Sequence, residues 1–174
     1  KILKEKLSNK KVFQLYNNFE KSFSIQEDFI VAVSGGPDSL ALAFLAEVYS
    51  IKKGINCKYF LVDHKLRKDS SIEANQVKKI LKKLKIHVDI LTWHGKKPKN
   101  NIQSIARKKR YDLLLLKCKK FNIQNLVVGH HLDDLFENFF IRMLRGSGLK
   151  GLVSLEKKKI LDKINLIRPL LNFS

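Results

Sequence analysis

The residues best placed to do chemistry stand near the front of the chain, in Ser34-Gly35-Gly36-Pro37-Asp38-Ser39. Phe29-Ile30-Val31-Ala32-Val33 before them is an unbroken apolar run, and Leu40, Ala41, Ala43, Phe44, Leu45 and Val48 after them fall on a helical stripe. A buried strand therefore runs into a helix through a short glycine-bearing loop. Pro37 suits the first helical turn, where a missing N–H costs nothing. The two glycines let successive amides point into one concavity at the positive end of the helix. Such a loop holds an anion of phosphate size. It is no Walker loop, because no Gly-Lys-Ser/Thr closes it, and no dinucleotide fingerprint, because Asp38 stands where a third glycine belongs. An ordinary strand-to-helix turn would not need Asp38. A carboxylate beside a phosphate cradle is repulsive unless a divalent cation lies between them, and Mg²⁺ is commonly held by one or two carboxylates plus substrate phosphates.

Four more groups follow. In Val62-Asp63-His64-Lys65-Leu66-Arg67, followed by Ser70-Ser71-Ile72-Glu73, Asp63 can simply end a strand and a serine can cap a helix. The same position would also set backbone groups of Val62 and His64 against an adenine edge and leave Arg67 for phosphate or RNA. Arg107 and Arg110 share one helical face and can clamp phosphate, although Asp112 could equally pair with Arg110. Gly129-His130-His131-Leu132-Asp133-Asp134-Leu135-Phe136-Glu137 is the most loaded stretch. Asp134 with Glu137 reads as a helix cap. The two His and two Asp could ligate Zn²⁺, but no third and fourth ligands for a closed site are evident. If the helix starts a turn earlier, His130, Asp134 and Glu137 share a face. Lastly, Arg145-Gly146-Ser147-Gly148-Leu149-Lys150-Gly151 contains a formal GxGxxG that follows a helix instead of a strand, so it reads as a basic loop facing a large substrate.

Alternating elements must position these groups. The pattern gives a lysine-rich helix over 2–20, strands at 29–33, 57–63, 86–93 and 126–129, and helices at 38–53, 71–85, 102–121 and 134–145. Strand and helix in turn predict an α/β fold, an open and mainly parallel sheet with helices on both faces, whose ligands sit at the carboxyl ends of the strands. Residues 1–174 read as one domain, opened by an N-terminal helix within 1–24, without repeats or low-complexity linkers.

Thirty-five basic against sixteen acidic side chains leave a formal charge of +19. So basic a protein is expected to meet a polyanion, although lysine-rich composition also decorates solvated faces. All six arginines, Arg67, Arg107, Arg110, Arg142, Arg145 and Arg168, lie in or beside a motif, as suits sites needing a planar, bidentate donor. Cys57 and Cys118 lack CxxC spacing and read as small core residues in a reducing compartment. No signal peptide or membrane-length apolar run is visible, which predicts a cytoplasmic protein.

Ser-Gly-Gly-x-Asp-Ser resembles the pyrophosphate loop of the N-type ATP pyrophosphatases, a Rossmann-like superfamily that cleaves ATP between the α and β phosphates. The ordered set Ser-Gly-Gly-x-Asp-Ser, Val-Asp-His-x-Leu-Arg, Ala-Arg-x-x-Arg-Tyr, His-His-x-Asp-Asp-x-x-Glu, Arg-Gly-Ser-Gly-Leu-x-Gly-Leu and Arg-Pro-Leu-Leu spans residues 29 to 171 and resembles the catalytic domain of the tRNA(Ile)-lysidine synthetases. Leu135, Phe136 and Asn138 depart from the usual Gln, Ala and Thr. The resemblance implies ATP with Mg²⁺ as cofactors, isoleucine tRNA and free lysine as partners, and ligation of lysine to the wobble cytidine through an adenylated base. It implies an ATP site of Ala32, Ser34, Gly35, Gly36, Pro37, Asp38, Ser39, Val62, His64, Arg67 and Gly129. Catalytic roles fall to Asp38, Arg110, His130, Asp134 and Glu137, with Mg²⁺ on Asp38 and Asp134. Lysine and tRNA are assigned to Arg107, Asp134, Glu137, Arg145, Gly146, Ser147 and Gly148. The family's C-terminal tRNA-binding domains are expected to be absent from this chain, and a homodimer is compatible with the reading. The alternatives are a tRNA 2-thiolating enzyme of the same superfamily, which would want reactive cysteines, a glutamine-dependent synthetase, which would want an amidotransferase partner, and a non-catalytic nucleotide-binding module.

Overall fold

A computed structural model of the chain describes residues 2–95, 98, 100–129 and 158–173. Strands β1 (Phe29–Val33), β2 (Cys57–Asp63), β3 (Val88–Thr92), β4 (Asn125–Val128), β5 (Lys158–Leu161) and β6 (Ile164–Ile167) form one sheet in the order β3-β2-β1-β4-β6-β5. All neighbours run parallel except β5 against β6. Helices α3 (Pro37–Lys53), α4 (Ser70–Lys83) and α5 (Ile102–Phe121) make the crossovers, so the mainly parallel α/β sheet expected from the alternation is present.

The central strands β1 and β4 are buried on both sides because both sides are covered. Phe29, Val31, Val33, Tyr59, Leu61 and Val127 join one apolar cluster with Leu42, Leu45 and Tyr49 of α3 and Ala74, Val77 and Leu81 of α4. Ile30, Phe60, Leu126 and Val128 point to the other face, where Leu114 and Cys118 of α5 cover them. The two-residue alternation within each strand thus serves two cores.

The N-terminal stretch differs from the single helix read over 2–20. It is two helices, α1 (Ile2–Leu7) and α2 (Lys10–Ser22). Asn9 divides them, because its side chain accepts the Lys11 and Val12 amides and caps α2 instead of continuing α1. Phe19 and Phe23 of this region pack on Tyr49, whose hydroxyl donates to the Ile25 carbonyl at 2.9 Å. The β5–β6 hairpin has no counterpart in the sequence reading. Its turn residues Asp162 and Lys163 both have positive φ, as a tight two-residue hairpin requires. The expected helix over 134–145 lies outside the described residues.

Strand β1 has β2 on one side and β4 on the other, and the chain reaches them by helices on opposite faces. Strand order therefore reverses at β1. In open α/β sheets such a switch point leaves a crevice at the carboxyl ends of the strands, where ligands bind.

Candidate active site

The loop after β1 occupies that switch point. Gly35 has φ +92°, and a Cβ on it would stand 2.8 Å from Val77 Cγ2, so the residue is fixed as glycine by both conformation and space. Gly36 is the N-cap of α3 with ordinary extended angles, and a Cβ there would meet only Ser34 Oγ at 4.0 Å. One glycine, not two, carries the conformational demand. The Ser39 hydroxyl is buried and stitches the loop: it accepts the Gly35 amide at 3.0 Å and donates to the Gly36 carbonyl at 2.8 Å. Pro37 occupies the first helical turn and Asp38 follows it, while the first helical hydrogen bond runs from the Leu40 amide to the Gly36 carbonyl at 3.1 Å. The amides of this turn are what an anion meets at the positive end of α3.

Gly129 follows β4 on the other side of the switch point. A Cβ there would come within 3.1 Å of Ser39 Cα and 3.3 Å of Ser39 N, so the end of β4 lies against the backbone of the loop. Ala32, Ser34 and Gly129 line a small cavity of about 50 Å³ together with Arg110. Ser34, Gly35 and Arg110 also border a cleft of about 1400 Å³, whose walls include Val62, His64, Arg67 and Arg107. Seven of the eleven residues expected to meet ATP therefore line one or both spaces, and Gly36, Pro37, Asp38 and Ser39 complete the loop beside them.

The electrostatics of the cleft favour an anion. Burial disfavours the charged form of Arg110 and Arg107 beside it adds repulsion, while Tyr111 partly offsets both. The guanidinium carbons of Arg107 and Arg110 lie 5.7 and 5.8 Å from the centre of the Tyr111 ring. Arginine does not give up its proton, so the cost is relieved by an incoming negative group. Asp112, the alternative partner for Arg110, pairs instead with Lys109 at 3.7 Å. Burial and then Arg110 push the His64 imidazole below its usual pKa, with Asp63 opposing. His64 Nδ1 is buried without a hydrogen-bond partner among the described residues. Arg67 donates to Glu73 at 2.8 Å in an exposed ion pair, a contact generally worth under about 1 kcal/mol and easily exchanged.

Asp63 does more than end β2. Its carboxylate is buried, accepts the Lys65 amide at 2.9 Å and the Ser71 hydroxyl at 2.6 Å, and so ties β2 to the start of α4. Burial alone would raise its pKa, but Ser71 and the Lys65 amide bring it below the usual value. Val77, under Gly35, and Asp63 with Ser71 are the supporting residues that the motif reading missed. Val77 was legible only as one position of a helical apolar face, and Ser71 only as a helix cap. His130, Asp134, Glu137, Arg145, Gly146, Ser147 and Gly148 lie outside the described residues.

Loop, switch point and arginine pair come together at the carboxyl edge of a parallel sheet in an arrangement suited to phosphate, and residues 4–174 match the family described as the PP-loop domain. The chain is a PP-loop domain. This PP-loop domain is 41% identical over 160 residues to the tRNA(Ile)-lysidine synthase of Orientia tsutsugamushi, covering 91% of the chain and 36% of that protein. It is 42% identical over 163 residues to the protein of the same name from Wolbachia pipientis wMel, covering 92% and 38%. It thus spans little more than a third of the length of these relatives. Among solved structures, the U34-tRNA thiolase NcsA from Methanococcus maripaludis with its [4Fe-4S] cluster superposes with a TM-score of 0.76 at 19% identity, over 91% of this chain and 58% of that one. That likeness establishes the shared fold. ATP is the nucleotide that PP-loop families use, and no helix among the described residues is long and apolar enough to cross a membrane.

Proposed function

We propose that the chain is the catalytic part of an enzyme that ligates free lysine to the C2 position of the wobble cytidine of isoleucine tRNA, with cleavage of ATP to AMP and pyrophosphate. The observation that carries this reading is the identity of about 40% across nine-tenths of the chain to proteins named for that activity. The cytidine C2 oxygen attacks the α-phosphorus, pyrophosphate leaves, and the lysine side-chain amine then displaces AMP from the activated base.

The chain's own residues divide the work. The loop from Ser34 to Ser39 holds the pyrophosphate end through the first-turn amides of α3, with the Ser39 hydroxyl keeping that turn in shape. Arg110, with Arg107, neutralises charge that builds on the α-phosphate in the transition state. Asp38, in the first turn beside the loop, gives a single carboxylate next to a phosphate cradle, which fits Mg²⁺ because that ion keeps waters and phosphate oxygens as its other ligands. Bound there, Mg²⁺ supplies charge neutralisation on the phosphates. His130 is assigned to the same charge stabilisation, Asp134 to the metal and Glu137 to the lysine ammonium, with Arg145 to Gly148 facing the tRNA. Val62 and His64 border the adenosine end of the cleft.

A sulfur-transfer reading of the same fold is disfavoured by the cysteines. Cys57 pairs with Phe29 at the amino end of the sheet, opposite the loop. Cys118 is buried, and burial pushes its thiol up to about 11. The deciding assay follows ATP with unmodified isoleucine tRNA, with and without lysine. Lysine-dependent incorporation into the tRNA, with AMP and pyrophosphate released, is expected. Sulfur incorporation, or ATP turnover indifferent to both tRNA and lysine, would overturn the proposal.

A further inference from the structure

The chain has one tryptophan, Trp93, and neither core accounts for it. It directly follows β3, at the carboxyl edge of the sheet where the nucleotide loop lies, and is half-buried. It belongs to neither apolar cluster and to neither set of partly buried side chains packed on them. Its backbone is nevertheless fixed. The Trp93 amide donates to the Asp63 carbonyl at 2.9 Å, extending the β2–β3 ladder one residue past the strand and tying its backbone to the residue before His64. Gly95 then folds against the ring so closely that a Cβ would come 2.4 Å from the indole nitrogen and 2.6 Å from its neighbouring ring carbon. An aromatic packed on one side by Gly95 and left out of both apolar clusters is thus one backbone hydrogen bond from Asp63, a residue that lines the cleft, in a protein of charge +19.

We propose that Trp93 is a stacking platform for a base of the RNA substrate, placed next to the nucleotide site by its ladder bond to Asp63 and held in orientation by Gly95. The partner is RNA with unpaired bases, because the chain's charge of +19 attracts a phosphate backbone and a π-face recognises a base irrespective of its sequence. This proposal rests on the tRNA reading above and adds to it the surface on which the single-stranded part of that substrate is held.

The single tryptophan makes the test direct. The 174-residue chain is titrated with an anticodon stem–loop RNA and, separately, with a fully paired RNA duplex of the same length, while Trp93 fluorescence and binding by anisotropy are read together. The stem–loop should quench Trp93 saturably along its binding curve, and the duplex should bind without quenching. Trp93→Ala should weaken stem–loop binding about 5- to 150-fold, the range expected for losing one base stack, and Trp93→Phe should recover part of it. ATP affinity should be unchanged in both variants. Stem–loop binding that leaves Trp93 fluorescence unchanged overturns the stack even if Trp93→Ala fails to fold. Equal affinity of Trp93→Ala and the natural chain does the same. A chain that ligates lysine but shows neither effect loses this proposal alone. A chain that quenches with RNA yet never ligates lysine loses the activity alone, and failure to bind either RNA removes both.

Discussion

Replacing Gly35 with alanine probes the phosphate loop at its tightest point, and two costs add there. The φ of +92° disfavours any L side chain, by about 1–2 kcal/mol. The new Cβ would also stand 2.8 Å from Val77 Cγ2, and Val77 is locked in the apolar cluster with 8% of its surface exposed. Overpacking of that kind costs about 1–3 kcal/mol. The loss of about 3 kcal/mol corresponds to a fall in Tm of roughly 6–12 °C for a domain of this size. A double-mutant cycle with Val77→Ala separates the two contributions. Removing Cγ2 relieves the overlap but leaves the φ cost, so the double variant should be at least about 1 kcal/mol more stable than the sum of the singles allows, read from urea unfolding midpoints at constant slope. Additivity within about 0.5 kcal/mol would show that the loop does not rest on Val77. An unchanged midpoint for Gly35→Ala alone would refute both parts of the argument.

Gly129→Ala should cost about 1–3 kcal/mol, because its Cβ meets backbone of the loop, whereas Gly36→Ala, with open space at 4.0 Å, should cost far less; equal shifts in urea midpoint would undo the distinction. His64 has a pKa below its usual 6.5 in the folded chain, so its contribution is fully present above that value and is lost as pH falls through it. His64→Gln should therefore flatten the loss of stability from pH 7 towards pH 5, and an unaltered slope would contradict the burial of a neutral ring. With Cys57 replaced by serine, Cys118 should react with a disulfide reagent only as fast as the chain unfolds, since its thiol is fully buried and titrates near 11; prompt labelling of the native protein would be inconsistent with that position.

Local signals made the centre of the fold readable. β1 and α3 announce themselves by an apolar run, a proline in the first turn and a helical stripe, and the loop between them is contiguous in sequence. What lay across the fold did not show. Nothing around Gly35 points to Val77, and nothing around Gly129 points to the backbone of Ser39, because each contact forms only when separate crossovers pack. Gly36 looked equivalent to Gly35, yet its extended angles make no demand for glycine. The β5–β6 hairpin escaped notice because Lys158-Lys159-Ile160-Leu161 is short and lysine-bearing, as edge strands often are, and its turn uses Asp162-Lys163 in place of an Asn-Gly signature. At the N-terminus, the lysine-rich helical pattern hid a capping role for Asn9 that overrides continuation of the helix.

The central position of β1 has a consequence for the order in which the protein comes into being. Phe29 pairs with Cys57 on one side, but on the other with Asn125, a partner roughly a hundred residues downstream. Closing so long a loop is entropically costly and slow compared with forming the β1–α3–β2 unit. The pyrophosphate cradle is thus encoded early and finished late, because Gly129 cannot reach Ser39 until β4 has docked. On a ribosome, a nascent chain would carry the complete loop sequence long before it had a nucleotide site, and acquisition of nucleotide binding would mark the docking of β4 in place of the folding of the loop itself.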